Sequence, residues 1–101
     1  MRPRRLAYDH RMSTIDRERA RVTARSILVN LGILAGEGLA VDRQARAIEH
    51  AEILAVAPFA RAACRADAFG HAIALRDLLA TLSGPTAAVL VAWLDDALRG
   101  D

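Results

Sequence analysis

A chain of 101 residues supports one hydrophobic core, so a single domain is expected. Its composition, 53% hydrophobic with a mean hydropathy of +0.17, excludes intrinsic disorder for most of the length. The net charge of +2 hides a segregation: residues 1–25 carry eight arginines against three acids, a balance of +5, and residues 26–101 carry six against nine, a balance of −3.

A basic front and a mildly acidic body suit an anionic partner, or docking between two copies. All fourteen basic residues are arginine. Codon usage in a GC-rich genome is the simpler account of that, and selection for bidentate carboxylate or phosphate contacts is the functional one. Alanine and leucine dominate, both strong helix formers, and no alternating run of β-branched residues predicts a strand. The single cysteine, Cys64, forbids an intrachain disulfide and points to a reducing compartment, so a cytoplasmic location is expected. No membrane span is expected: the longest charge-free stretch, Leu78 to Leu94, is 17 residues and is broken by Ser83-Gly84-Pro85. Ser26 to Gly36 has the length of a signal core, but the 25 residues before it are charged and contain acids, a poor n-region.

Residues 1–12, MRPRRLAYDHRM, have Pro3 and no periodicity, and read as a mobile basic arm ahead of a helical domain over 13–101. Met12 offers an alternative start to Met1. Ser13 and Asp16 make a variant capping box for a first helix over about 14–35. Its apolar stripe is Ala20, Ala24, Ile27, Leu31 and Leu34, with Arg17, Arg21 and Arg25 on another face. Gly36-Glu37-Gly38 stops it.

Asp42 is placed to cap a second helix, with a weaker stripe of Ala45, Ile48, Ala51 or Glu52, and Ala55. It ends near Val56, because Pro58 disfavours helix at Ala57. A third run starts at Pro58 or Phe59, with Phe59, Ala62, Ala63, Ala66 and Phe69 on one side, then Ile73, Leu75, Leu78, Leu79 and Leu82. Gly70 either breaks it or is tolerated at about 1 kcal/mol relative to alanine. Ser83-Gly84 ends the run and Pro85 suits the first position of a final helix. The expected fold is all-α: a small bundle of four to five helices with short loops and antiparallel neighbours. No sustained heptad predicts a long coiled coil.

The final helix is the most informative element. From Pro85 to Leu98 only Thr86, Asp95 and Asp96 are polar. A helix without a polar face is normally buried on every side, and so short a chain has few elements with which to surround it. A second chain is therefore expected to cover part of it, either a copy or another protein. Val89, Leu90, Trp93 and Leu94 are the candidate interface, with Trp93 as anchor because tryptophan is enriched at hot spots. Arg17, Arg21 and Arg25 are the candidate charged contact, steering an acidic partner.

Catalytic chemistry is poorly supplied. Glu49, His50 and Glu52 resemble parts of a bundle metal site, yet no Glu-x-x-His pair exists and the bland reading is a solvated face. Arg61 and Arg65 lie within a turn of Cys64 and would lower its pKa, but a lone cysteine in an alanine-rich helix is usually a small hydrophobe. His71 is followed by Ala72, Ile73 and Ala74, without the lysine and small residue expected of a phosphotransfer histidine. No glycine-rich phosphate loop occurs.

The expected function is thus a non-enzymatic interaction module, a small regulatory, adaptor or chaperone-like protein. It acts through its apolar C-terminal helix as a homodimer, without a cofactor or metal and without a membrane. The alternative is a nucleic-acid-binding regulator using the basic first 25 residues, although Tyr8 is the only aromatic there to stack on bases.

Overall fold

A computed structural model of the chain describes residues 15–56 and 62–100. These form a small all-α bundle of five helices: α1 (Arg17–Val29), α2 (Leu31–Gly36), α3 (Val41–Val56), α4 (Ala62–Ala80) and α5 (Pro85–Arg99). Helix α1 packs between α3 and α5, and α4 closes the ring by packing on the same two. The short α2 touches α1, α3 and α5. The expected arm over 1–12 lies outside the described residues, as do Ser13 and the start placed at Pro58 or Phe59.

The first helix departs from expectation in two places. Its N-cap is Asp16, whose carboxylate accepts the Arg19 N–H at 3.1 Å. It also divides at Asn30 rather than running on to residue 35. The Asn30 side chain donates Nδ2–H to the Ser26 carbonyl at 2.7 Å, while its backbone N–H reaches both Ser26 and Ile27 at 3.1 Å. A side chain that competes for the helix's own carbonyls bends it locally. The apolar stripe survives the bend, with Ala20, Ala24, Ile27 and Leu34 fully buried and Leu31 half-buried. Thr23, buried among them, satisfies its hydroxyl on the Arg19 carbonyl at 2.6 Å.

Helix α3 is rotated from the expected register. Ala47, Ala51, Leu54 and Ala55 face the core, whereas Ala45 and Glu52 are exposed. Alanines line several faces of this helix, and the face that also carries Leu54 removes more apolar area from water. It begins at Val41, with Asp42 in its first turn. Helix α4 is continuous through Gly70, which is exposed. Its buried stripe is Ala68, Ala72, Leu75 and Leu79, at spacings of four, three and four, flanked by half-buried Phe69, Ile73 and Leu78. In α5 the buried stripe is Ala87, Leu90, Leu94 and Ala97.

Two long-range contacts hold α5 in place. The Asp16 N–H donates to the Ala97 carbonyl at 2.9 Å, tying the start of α1 to the end of α5. At its other end α5 has Gly84 as N-cap, which offers no side chain, with Pro85 as its first residue. The missing cap comes from Glu37. Its carboxylate accepts the backbone N–H of Thr86 at 3.1 Å and of Ala87 at 2.9 Å. A carboxylate there satisfies two orphan donors and meets the positive end of the helix dipole. The bond from Ala87 leads in holding the Glu37 carboxyl below its ordinary value, against a smaller opposing effect of burial. A Cβ on Gly84 would overlap the Glu37 carboxyl group, so glycine is what the docking requires. Gly38, at φ +113°, turns the chain out of α2 in a conformation that favours glycine.

Candidate functional site

The four expected interface residues do not share one environment. Leu90 and Leu94 belong to the core, at 3% and 0% exposure. The chain covers them itself, so they support the outer surface from below. Val89 is half exposed, at 50%, and Trp93 is half-buried. The outward side of α5 is formed by Pro85, Ala88, Val89 and Ala92, all exposed and uncharged. Their spacing of three, one and three places them on one face. The solvent side of α5 is therefore apolar from Pro85 to Ala92, whereas beyond it Asp95 and Asp96 are part-exposed and Arg99 is exposed.

Trp93 sits where two hollows meet between α1 and α5. One, of about 370 Å³, is lined by Asp16, Glu18, Arg19, Val22, Thr23 and Trp93. The other, of about 350 Å³, runs toward the start of α5 past Ser26, Asn30, Thr86, Val89 and Trp93. Val22 is 44% exposed at the rim. Charge is confined to one end of this face, where Asp16 and Arg19 pair at 3.9 Å beside Glu18.

The charged contact expected at Arg17, Arg21 and Arg25 lies on a different flank of α1. The α1 residues lining the two hollows are Glu18, Arg19, Val22, Thr23 and Ser26, with Asn30 just past its end, and Arg17, Arg21 and Arg25 line neither. Arg17 and Arg25 are exposed and Arg21 is half-buried. The tryptophan face and the arginine flank are thus separate surfaces.

A second arrangement was not legible as a unit in the sequence. His50 on α3 and His71 on α4 meet across the seam between those helices, Nδ1 to Nδ1 at 2.7 Å, with ring centroids 5.0 Å apart and planes tilted by 47°. Both are half-buried. Burial, then the neighbouring His71, holds the His50 imidazole below its ordinary pKa, with Glu49 opposing. Twenty-one positions separate the two residues, so only the packing of α3 on α4 brings them together. Glu49 and Glu52, grouped with His50 in the sequence, are exposed. Beside the pair a hollow of about 350 Å³ is lined by Arg43, Arg46, His50, Asp77, Leu78 and Thr81, among others. Arg43 donates to the Thr81 hydroxyl at 3.2 Å.

Among the described residues no group of three or more His, Cys, Asp or Glu side chains is arranged to hold a metal ion. The side chain of Cys64 lies outside the described residues. No described helix is long and apolar enough to cross a membrane. No family model matches the chain, and neither a curated protein nor a solved structure matches it.

Proposed function

We propose that this protein is a non-enzymatic interaction module that pairs with a second copy of itself through the α1/α5 face. The observation that carries the reading is Trp93, half-buried at the junction of two hollows and bordered by exposed Val89 and Val22. A large aromatic set among small apolar side chains, above a packed leucine core, is the composition of an interface centre. Charge and shape support a second copy as the occupant. Acidic Asp16 and Glu18 lie beside basic Arg19 at one end of the face, so a twofold arrangement offers each copy both signs. The small outward residues Ala88 and Ala92 let a partner helix approach within about 8–10 Å of the α5 axis. Pairing of this kind suits a small regulatory or adaptor protein acting in the cytoplasm.

Light scattering on the eluting protein over a range of concentrations tests the reading. The wild type is expected at the mass of two chains and Trp93→Ala at the mass of one. Removing a hot-spot side chain costs about 2 kcal/mol or more, which weakens the dimer about 30-fold.

A second reading rests on the other flank of α1. Arg17 and Arg25 are exposed and make no ion pair with any described residue. Together with the basic residues ahead of them they suit a phosphate backbone. Under this reading nucleic acid is retained at low salt and lost steeply as salt rises, and Arg17→Ala/Arg25→Ala flattens that dependence.

A further inference from the structure

We propose that His50 and His71 form a proton-sensitive clasp between α3 and α4, which holds while at most one of the two rings is charged and releases when both are. This does not depend on the dimer reading, because the α3/α4 seam and the α1/α5 face are different grooves of the bundle.

The geometry carries it. The two Nδ1 atoms meet head-on at 2.7 Å, with ring centroids 5.0 Å apart. A hydrogen bond across that gap needs a single hydrogen between the nitrogens. With both rings neutral, one carries its proton on Nδ1 and donates, and the other carries its proton on Nε2 and accepts. With one ring charged, the imidazolium donates to the bare Nδ1 of the other, and the charge strengthens the bond. With both rings charged, two N–H groups face each other. The bond is then lost, and two like charges remain in contact on half-buried rings. The buried residues nearest the pair along the two helices are Ala47 and Ala51 on α3 and Ala68 and Ala72 on α4. Alanines remove little apolar area from water, so the polar bridge matters more to this seam than it would between leucines.

The surroundings do not take up the second charge. Arg43 and Arg46, on the same helix as His50, line the hollow beside it and are themselves cations. Asp77, also on that hollow, is paired with Arg76 at 3.2 Å. Glu49 is adjacent to His50 but exposed, and Asp67, one turn before His71, is exposed as well. Among the described residues, His71 and Glu49 are the charges that act on the His50 ring, and no group of α1 or α5 joins them. Burial, then His71, holds His50 below its ordinary value of 6.5, with Glu49 opposing. A base depressed in the folded state contributes stability that is complete above its unfolded value and is lost as pH falls through the folded one. The clasp is therefore closed at neutral pH and released in acid.

The test uses the full-length chain in a His10→Gln background, which leaves two imidazoles. Nitrogen NMR of the rings reads tautomer and charge. At about pH 8 one ring is expected with its proton on Nδ1 and the other with its proton on Nε2, and on acidification the two should charge in two separate steps. In His71→Gln, His50 should charge in one step, at a higher pH than in the parent. Thermal unfolding between about pH 8 and about pH 5, where the Glu37 cap stays ionised, reads the release. The parent should lose about 4–8 °C over that interval. His71→Gln, which keeps His50 in place, should abolish about half of that loss or more. If this variant fails to fold, the tautomers and titration steps of the parent decide alone. Two rings that both carry their proton on Nε2 and charge in one common step overturn the proposal. So does a loss of melting temperature that is undiminished in folded His71→Gln, since burial of His50 by itself would then account for it.

Discussion

The two grooves on opposite sides of the bundle are built from the same kind of helix but finished differently. Between α1 and α5 the floor is leucine and alanine, the rim is valine, and the centre is Trp93. Between α3 and α4 the seam is bridged by polar contacts: His50 to His71, and Arg43 to Thr81. A bundle of this size buries its leucines toward one axis, which leaves each outer groove free to be apolar or polar at little cost to the core. The difference teaches where to look for function. An apolar groove with an aromatic anchor gains by being covered, whereas a seam already bridged by its own polar contacts has less to gain.

The comparison is broken most severely from below. Leu94→Ala should cost about 2–5 kcal/mol in chemical denaturation, because it empties a fully buried site. Val89→Ala, five residues earlier on the same helix and half exposed, should cost about 0.5 kcal/mol or less in the same assay while still weakening association. Equal losses at both positions would mean that the outer face belongs to the core and not to an interface.

Next in size is the Glu37 cap, which fixes the start of α5 and so the position of Val89. The folded carboxyl titrates below its ordinary value of 4.5, so its ionised form stabilises the fold. That contribution is complete above the unfolded value and is lost as pH falls through the depressed folded one. Glu37→Gln should therefore lower the melting temperature at neutral pH and converge with the wild type in acid. Gly84→Ala should act through the same contact, since its methyl displaces the carboxylate. The double variant Gly84→Ala/Glu37→Ala should then lose no more than the larger single loss. Additive losses would show that the two residues act separately.

The smallest effect is expected at Asn30. Asn30→Ala removes the side chain that competes for the Ser26 carbonyl and installs a better helix former. Its stability should stay within about 0.5 kcal/mol of the wild type, with a straighter α1–α2 junction seen in backbone chemical shifts.

How much of this was legible in the sequence depended on the range of the interaction. The stripe of Ala20, Ala24, Ile27 and Leu34 is set by neighbours three or four positions away, and periodicity exposes it, while the end of α3 near Val56 and the start of α5 at Gly84-Pro85 are read from proline and glycine one or two positions away. The register of α3 was less legible because alanine occurs on several of its faces, and only packing against α1 and α4 chooses among them. The break at Asn30 follows from a side-chain hydrogen bond that competes with an otherwise consistent apolar pattern. Glu37 capping Thr86 and Ala87 joins residues 49 and 50 positions apart, and His50 meets His71 across 21. No local rule reaches that far. For the same reason Leu90 and Leu94 looked as available to a partner as Val89 and Trp93: apolarity marks a helix face as wanting cover but does not say which chain supplies it.

The most direct test is the solution mass of the wild-type chain against that of Val89→Asp, measured by light scattering across concentrations that span the dimer's dissociation. Val89→Asp puts a charge on the exposed face and leaves the buried stripe intact. A wild type with the mass of two chains beside a folded, monomeric Val89→Asp is the predicted result. A wild type that stays monomeric at every concentration, or a dimer indifferent to the new charge, would contradict the assignment of the α1/α5 face as the surface where two copies meet.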